Sequence, residues 1–171
     1  MKQKNKTLIF NGILMSALIL LDQWTKKIAV NQLMGKPAVV VIENVFEFQY
    51  LENRGAAFGV LQNQQGFFFL MTTVVLLFGV YAYMKIPFTK KYFLLHLCLA
   101  GLSAGAIGNM IDRVRQGYVV DFLYFKLINF PIFNVADCYV TLFTIFLVFL
   151  ILFVYKEEDL QLFFREKKEV L

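Results

Sequence analysis

Four runs of hydrocarbon dominate this chain. The first extends from about Leu8 to Val30, the second from about Gly66 to Met84, the third from about Tyr92 to Ile111 and the fourth from about Val135 to Tyr155. Each approaches the roughly 20 residues that a helix needs to cross a hydrocarbon core of about 30 Å. The chain as a whole is 59% hydrophobic and only 17% charged, with a mean hydropathy of +0.63. A soluble domain of 171 residues has too little interior to hide that much apolar surface. The expected fold class is therefore an all-α membrane protein, a bundle of four transmembrane helices. "MKQKNK" before the first run has the look of a secretory signal, but no small-x-small cleavage site follows. The run ends in "LLDQWTKK" and reads as an uncleaved first span.

Basic residues orient the bundle. Lys2, Lys4 and Lys6 precede span one, Lys85, Lys90 and Lys91 separate spans two and three, and Lys156 opens a tail that also holds Arg165, Lys167 and Lys168. The positive-inside rule makes that side cytoplasmic, so both termini face inward. Lys26, Lys27, Lys36, Arg54, Arg113, Arg115 and Lys126 fall on the other side and weaken the bias. The net charge of +5 is scattered between apolar runs rather than gathered in a block, and no nucleic-acid partner is expected. Residues 1–155 form the expected membrane domain and 156–171 a charged cytoplasmic tail that carries no chemistry.

Two long connections lie on the outer side. In the first, about 35–65, Phe46, Phe48 and Tyr50 alternate with Glu47 and Gln49, a strand signal, and Glu43-Asn44 supplies a turn after a Val-rich strand. A small β-sheet, or cradle, on the outer membrane surface is expected, with Glu43, Glu47 and Glu52 on its wet face. The second connection, about 113–134, is the apolar "FLYFKLINFPIF", expected to rest in the interface as a loop while Lys126 snorkels. Trp24 suits an outer aromatic belt. Cys98 and Cys138 belong to no CxxC or metal pattern and read as buried free thiols, and the lone His96 as a packed residue.

The unusual polar residues all fall at one depth. Asp22 and Lys26 end span one, Asn53 and Arg54 precede span two, Asn109, Asp112 and Arg113 close span three, Asp121 lies in the second connection, and Asn134 and Asp137 open span four. Ionisable groups within a membrane face the bundle interior and mark function. Local explanations exist for several. Asp22 and Lys26 have helix-pair spacing, Asn53-Arg54-Gly55 suits a turn, and Asn134 with Asp137 resembles an N-cap with an acid in the first turn. Asp121 has no such partner within "YVVDFLYF". Span three also carries Gly101, Ser103, Ala104, Gly105, Ala106 and Gly108, small residues that let helices approach closely and put this span at the bundle centre.

No His, exposed Cys or nucleophile-elbow Ser stands at the outer end, so a Ser–His or Cys–His mechanism is poorly supplied. Metal binding by carboxylates alone stays open but is unsupported by ligand spacing. What the patch has is aspartate. Two carboxylates held close share a proton, and one can then take a proton from water while the other protonates a carbonyl. Which two pair, among Asp22, Asp112, Asp121 and Asp137, is open at this point. A small proton-coupled transporter is the alternative, although near-pure hydrocarbon in the inner halves of the spans opposes it. A structural bundle that chaperones another membrane protein is a third reading.

The motifs "DQWTK" (Asp22–Lys26), "NRGAAFG" (Asn53–Gly59), "GNMIDR" (Gly108–Arg113), "VVDF" (Val119–Phe122) and "FNVAD" (Phe133–Asp137) resemble, in order, those of the bacterial lipoprotein signal peptidases, signal peptidase II. The resemblance covers about residues 8–155 with no departure at a motif position. It implies an aspartyl endopeptidase of the bacterial inner (cytoplasmic) membrane that cuts diacylglyceryl-modified prolipoproteins before the lipidated cysteine. By resemblance the catalytic aspartates are Asp121 and Asp137, and the supporting polar residues are Asp22, Lys26, Asn53, Asn109, Asp112, Arg113 and Asn134. It further implies lipid-anchored precursors and membrane lipids as partners, inhibition by cyclic peptides of the globomycin type, and no cofactor. A monomer is expected.

Overall fold

The computed structural model describes residues 1–55 and 64–160. Among these, four helices are long and apolar enough to cross a membrane: α1 (Lys2–Leu33), α2 (Gln65–Lys85), α3 (Phe93–Gln116) and α4 (Val135–Phe149), the last prolonged by a π-helical turn, Leu150–Val154. All four expected spans are present. Two run past the expected bounds, because polar residues at a helix end need not stop it: α1 starts at Lys2, and α3 continues beyond Asp112 and Arg113 until Gly117 turns left-handed at φ 77°. A short helix, α5 (Glu157–Leu160), opens the tail, and Asp159 pairs with Lys91 of the α2–α3 connection. The rest of the tail, with Arg165, Lys167 and Lys168, lies outside the described residues, as does 56–63 of the first connection.

α3 is the centre of the bundle. In its most apolar stretch 44% of residues are buried, against 17% in α1, 6% in α2 and 11% in the α4 span. Its small residues explain this. A methyl group on Gly108 would sit 2.6 Å from Asp22 Oδ2 of α1, and one on Gly105 would sit 2.6 Å from Ala136 O and 2.7 Å from Val140 Cγ2 of α4. One on Gly101 would enter the Phe143 ring. Glycine here is a condition of contact between helices rather than of backbone freedom. Gly105→Ala is therefore expected to push α4 away and to destabilise the bundle by about 1–3 kcal/mol, read as a lowered Tm in detergent.

Three strands form one antiparallel sheet in the order β1-β2-β3: β1 (Val39–Ile42), β2 (Phe46–Asn53) and β3 (Val119–Phe125). The β1–β2 hairpin turns where expected, with Asn44 in the left-handed region at φ 55°. The third strand corrects the expectation of an interfacial loop over 113–134. Val119 to Asp121 and Phe122 are buried on both faces, Val120 and Phe122 packing with Ala29 and Leu33 of α1. A strand covered on both sides has no polar alternation to betray it. Beyond β3 the chain makes a 3-10 turn, Lys126–Ile128, and folds back, Phe133 O accepting from the amides of Phe122 (2.9 Å) and Leu123 (2.8 Å).

The sheet's acids also need correcting. Glu43 is exposed, but Glu47 is 5% exposed and takes an ion pair from Lys126 Nζ at 2.6 Å. Glu52 is half-buried and holds Arg54 at 2.8 Å. At the opposite end of the bundle, buried polar groups replace the expected pure hydrocarbon. Asn11 Nδ2 donates to Tyr83 Oη at 2.9 Å, Thr7 is buried beside them on α1, and His96 lies between the Tyr83 and Phe88 rings, 4.6 Å from each centroid. His96 and Cys98 are packed as expected, whereas Cys138 is half-buried.

Candidate active site

α1 and α3 end, and α2 and α4 begin, at the end of the bundle that carries the sheet, so residues far apart in sequence converge there. The four aspartates sort into two kinds. Asp22 and Asp112 share a cation: Lys26 Nζ lies 3.0 Å from Asp22 Oδ2 and 3.0 Å from Asp112 Oδ2, with all three side chains buried. The helix-pair explanation of Asp22 and Lys26 holds, but the pair is also part of a cluster joining α1 to α3. Lys26 further donates to Asn109 Oδ1 at 2.8 Å. Gln23, which the sequence reading did not single out, donates to Asp22, to Asp112 and to the Gly108 carbonyl at 3.0–3.2 Å. Its signal was its place inside "DQWTK".

Asp121 and Asp137 are held differently. Neither forms an ion pair with Lys or Arg among the described residues. Asp121 Oδ2 accepts from Asn53 Nδ2 at 2.8 Å, and its Oδ1 from Asn134 Nδ2 at 2.6 Å. Asp137 Oδ1 accepts from Asn109 Nδ2 at 2.8 Å, and its Oδ2 from the Asn134 amide at 3.1 Å. Asn134 Oδ1 in turn accepts from Asp137 N at 3.0 Å, closing a capping box that starts α4. The N-cap explanation is thus correct, and the cap residue itself bridges to Asp121. The turn explanation of Asn53 is correct too: its Oδ1 accepts from Gly55 N at 3.0 Å while its amide holds Asp121.

Asp22 and Asp112 have a lysine between them to balance their charge, whereas Asp121 and Asp137 are held by neutral amides, an arrangement in which two carboxylates can pass a proton. Asp121 is 1% exposed. Burial, and then the negative charge of Asp137, push its carboxyl up to about 7, against the pull of the Asn53 and Asn134 amides. Asp121 and Asp137 open together onto a cavity of about 660 Å³. Arg113 lines it as well, its guanidinium 4.9 Å above the Phe68 ring. The rest of the wall is largely apolar, with Phe125 at the end of β3, Ile128, Phe130 and Phe133 from the β3–α4 connection and Leu142 from α4. All nine residues named from the sequence converge at this end: Asp121, Asp137, Asn53 and Arg113 on the cavity, Asn109 and Asn134 behind the two acids, and Asp22, Lys26 and Asp112 one layer further back.

Residues 14–153 match the family model described as signal peptidase (SPase) II. The chain belongs to the signal peptidase II family. It is 44% identical over 142 residues to the lipoprotein signal peptidase of Caldanaerobacter subterraneus subsp. tengcongensis, covering 82% of this chain and 94% of that one. With the lipoprotein signal peptidase of Clostridioides difficile it shares 42% identity over 137 residues, 80% of this chain and 90% of the relative. A solved bacterial membrane enzyme superposes with a TM-score of 0.71 at 31% identity, covering 95% of this chain and 94% of that chain. A second gives 0.72 over 85% of this chain and 94% of that chain, also at 31% identity. The signal peptidase II family consists of aspartic-type endopeptidases, and the proton-coupled transporter reading is not supported.

Proposed function

We propose that this membrane-embedded peptidase removes the signal peptide from diacylglyceryl-modified prolipoproteins, cutting before the lipidated cysteine, with Asp121 and Asp137 as its catalytic pair. The observation that carries this reading is the meeting of two carboxylates, Asp121 buried and Asp137 half-buried, both held by neutral amides, on one cavity with a largely apolar wall. That wall suits the acyl chains of a lipidated residue and brings the adjoining peptide bond to the acids. At neutral pH Asp121 keeps the shared proton, and Asp137 takes a proton from a water molecule as that water attacks the scissile carbonyl carbon. Asp121 gives its proton to the carbonyl oxygen. As the tetrahedral intermediate collapses, Asp137 passes its proton to the leaving nitrogen and Asp121 recovers one from the hydroxyl. Arg113 orients the substrate, and Asn53, Asn109 and Asn134 hold the two acids in place.

The site then faces the outer side of the bacterial cytoplasmic membrane, with both termini inside, as the placement of Lys2, Lys4, Lys6, Lys85, Lys90, Lys91 and Lys156 favours. The sheet forms an extracytoplasmic cradle, residues 1–155 constitute the peptidase domain, residues 156–171 a cytoplasmic tail, and the enzyme works as a monomer open to cyclic peptides of the globomycin type.

The test is to incubate the purified protein with a diacylated precursor and with its non-lipidated form. Cleavage before the cysteine is expected in the lipidated precursor alone, and equal cleavage of both would defeat the lipid-dependent reading. The rate of cleavage is expected to fall as pH rises through about 7, where Asp121 loses its proton. A raised carboxyl pKa places the active, protonated form on the acid side, so a rate that climbs from pH 6 to 9 contradicts the assignment of the proton to Asp121.

A further inference from the structure

Asp22 and Asp112 each accept a backbone amide, and the two amides have matching positions. Asp22 Oδ1 accepts from Ala136 N at 3.0 Å, the residue immediately before Asp137. Asp112 Oδ2 accepts from Val120 N at 3.2 Å, the residue immediately before Asp121. One carboxylate on α1 thereby fixes the start of α4, and one on α3 fixes β3. The separation of Asp121 from Asp137 then depends on how firmly Asp22 and Asp112 are held to each other. Two links join them. Lys26 binds Oδ2 of both, and Gln23 Nε2 reaches Asp22 Oδ2 at 3.2 Å and Asp112 Oδ1 at 3.0 Å.

We infer that Gln23 is a positioning residue for the catalytic pair: it closes a ring, Asp22–Lys26–Asp112–Gln23, whose two outward bonds set the distance between Asp121 and Asp137. Lys26 bonds to one oxygen of Asp112, and a carboxylate held at a single oxygen can swing about it. Gln23 takes the other oxygen and fixes the plane of the group, so that Oδ2 stays aimed at Val120 N. The same amide nitrogen lies 3.2 Å from the Gly108 carbonyl, so its two hydrogens serve three acceptors, one of them shared, and Gln23 is anchored on the backbone of α3 as well as on the two acids. Gly108 has no side chain to block this approach, since a methyl group there would meet Asp22 Oδ2. A neutral amide suits the position, because a third carboxylate would join two that share one lysine.

This inference rests on Asp121 and Asp137 being the catalytic pair, and the test separates the two. Gln23→Met is neutral and close in length, and it removes the hydrogen bonds while leaving the charges around Asp121 unchanged: Asp137 on α4, Arg113 on α3 and Lys26 on α1. Cleavage of a diacylated precursor is followed against pH for wild type and variant, with rates expressed per folded molecule from a thermal-unfolding signal in detergent. Expected are a fall in kcat of about 10- to 100-fold from misplaced reacting groups, a KM close to wild type because the cavity wall is untouched, and an alkaline limb moved to lower pH. The sign follows from geometry: a wider pair weakens the repulsion by Asp137 that holds the Asp121 proton. A variant with wild-type kcat and limb overturns the inference. So does a variant whose loss is wholly accounted for by unfolded protein while the limb stays in place. Should Gln23→Met fail to insert, Gln23→Asn, one methylene too short to span the ring, is judged by the same limb. If wild type itself leaves the diacylated precursor uncut, the proposed function fails, not the ring.

Discussion

Asp121→Asn and Asp137→Asn are each expected to lower cleavage of a diacylated precursor by at least about 10²–10⁴-fold, the range of a lost general acid or base, while the protein still folds and inserts. Neither acid forms an ion pair with a lysine, so neutralising it breaks no salt bridge among the described residues. The fold is not indifferent, however. Both oxygens of Asp121 accept from amide groups, and both oxygens of Asp137 do as well. An asparagine satisfies one of the two donors and opposes the other, which costs about 1–3 kcal/mol. A modest drop in Tm beside a near-complete loss of turnover is the predicted signature, read by a mobility-shift assay of the precursor and by unfolding in detergent. Full turnover in either variant removes that residue from the catalytic pair. A bundle that merely chaperoned a partner would tolerate both.

Lys26→Met is expected to do the reverse and harm the fold first. It takes the one cation from between two buried carboxylates, Asp22 with no exposure and Asp112 at 5%. Breaking a buried pair by removing one partner destabilises by about 3–5 kcal/mol, against a total stability of roughly 5–15 kcal/mol. The variant should be scarce in membranes and melt early in detergent. Adding Asp22→Asn should recover part of the loss, because it deletes one uncompensated charge and keeps an acceptor for Ala136 N. If Lys26→Met accumulates and melts like wild type, the cluster is not the fold's electrostatic anchor.

The spans were legible because a run of about 20 apolar residues in lipid has few alternatives to a helix. The β1–β2 hairpin showed through alternation and an Asn at its turn. Asp22 with Lys26, and Asn134 with Asp137, were legible as neighbours on a helix, and both readings hold. What stayed hidden was long-range. Asp121 looked isolated within "YVVDFLYF" because its partners, Asn53 and Asn134, come from other segments. β3 went unread because α1 covers the face that would otherwise be wet, so its residues are apolar on both sides. Glu47 looked like a wet-face acid because its cation, Lys126, lies 79 positions away. The choice among four aspartates also needed the fold. The i, i+4 spacing gives Asp22 to Lys26, but nothing in the local sequence says that Lys26 also takes Asp112 and leaves Asp121 and Asp137 to asparagines.

The dual use of Asn134 narrows what can stand there. At most helix starts Asp, Ser, Thr and Asn are nearly interchangeable, and sequences drift among them. Here the side-chain oxygen is occupied by Asp137 N, while its nitrogen serves Asp121 and Asn109. Ser and Thr are too short to offer both ends, and Asp would place a third acid against Asp121. A site that elsewhere tolerates free exchange is reduced to one amino acid, so the instruction that begins a helix and the scaffold that carries the chemistry cannot evolve apart.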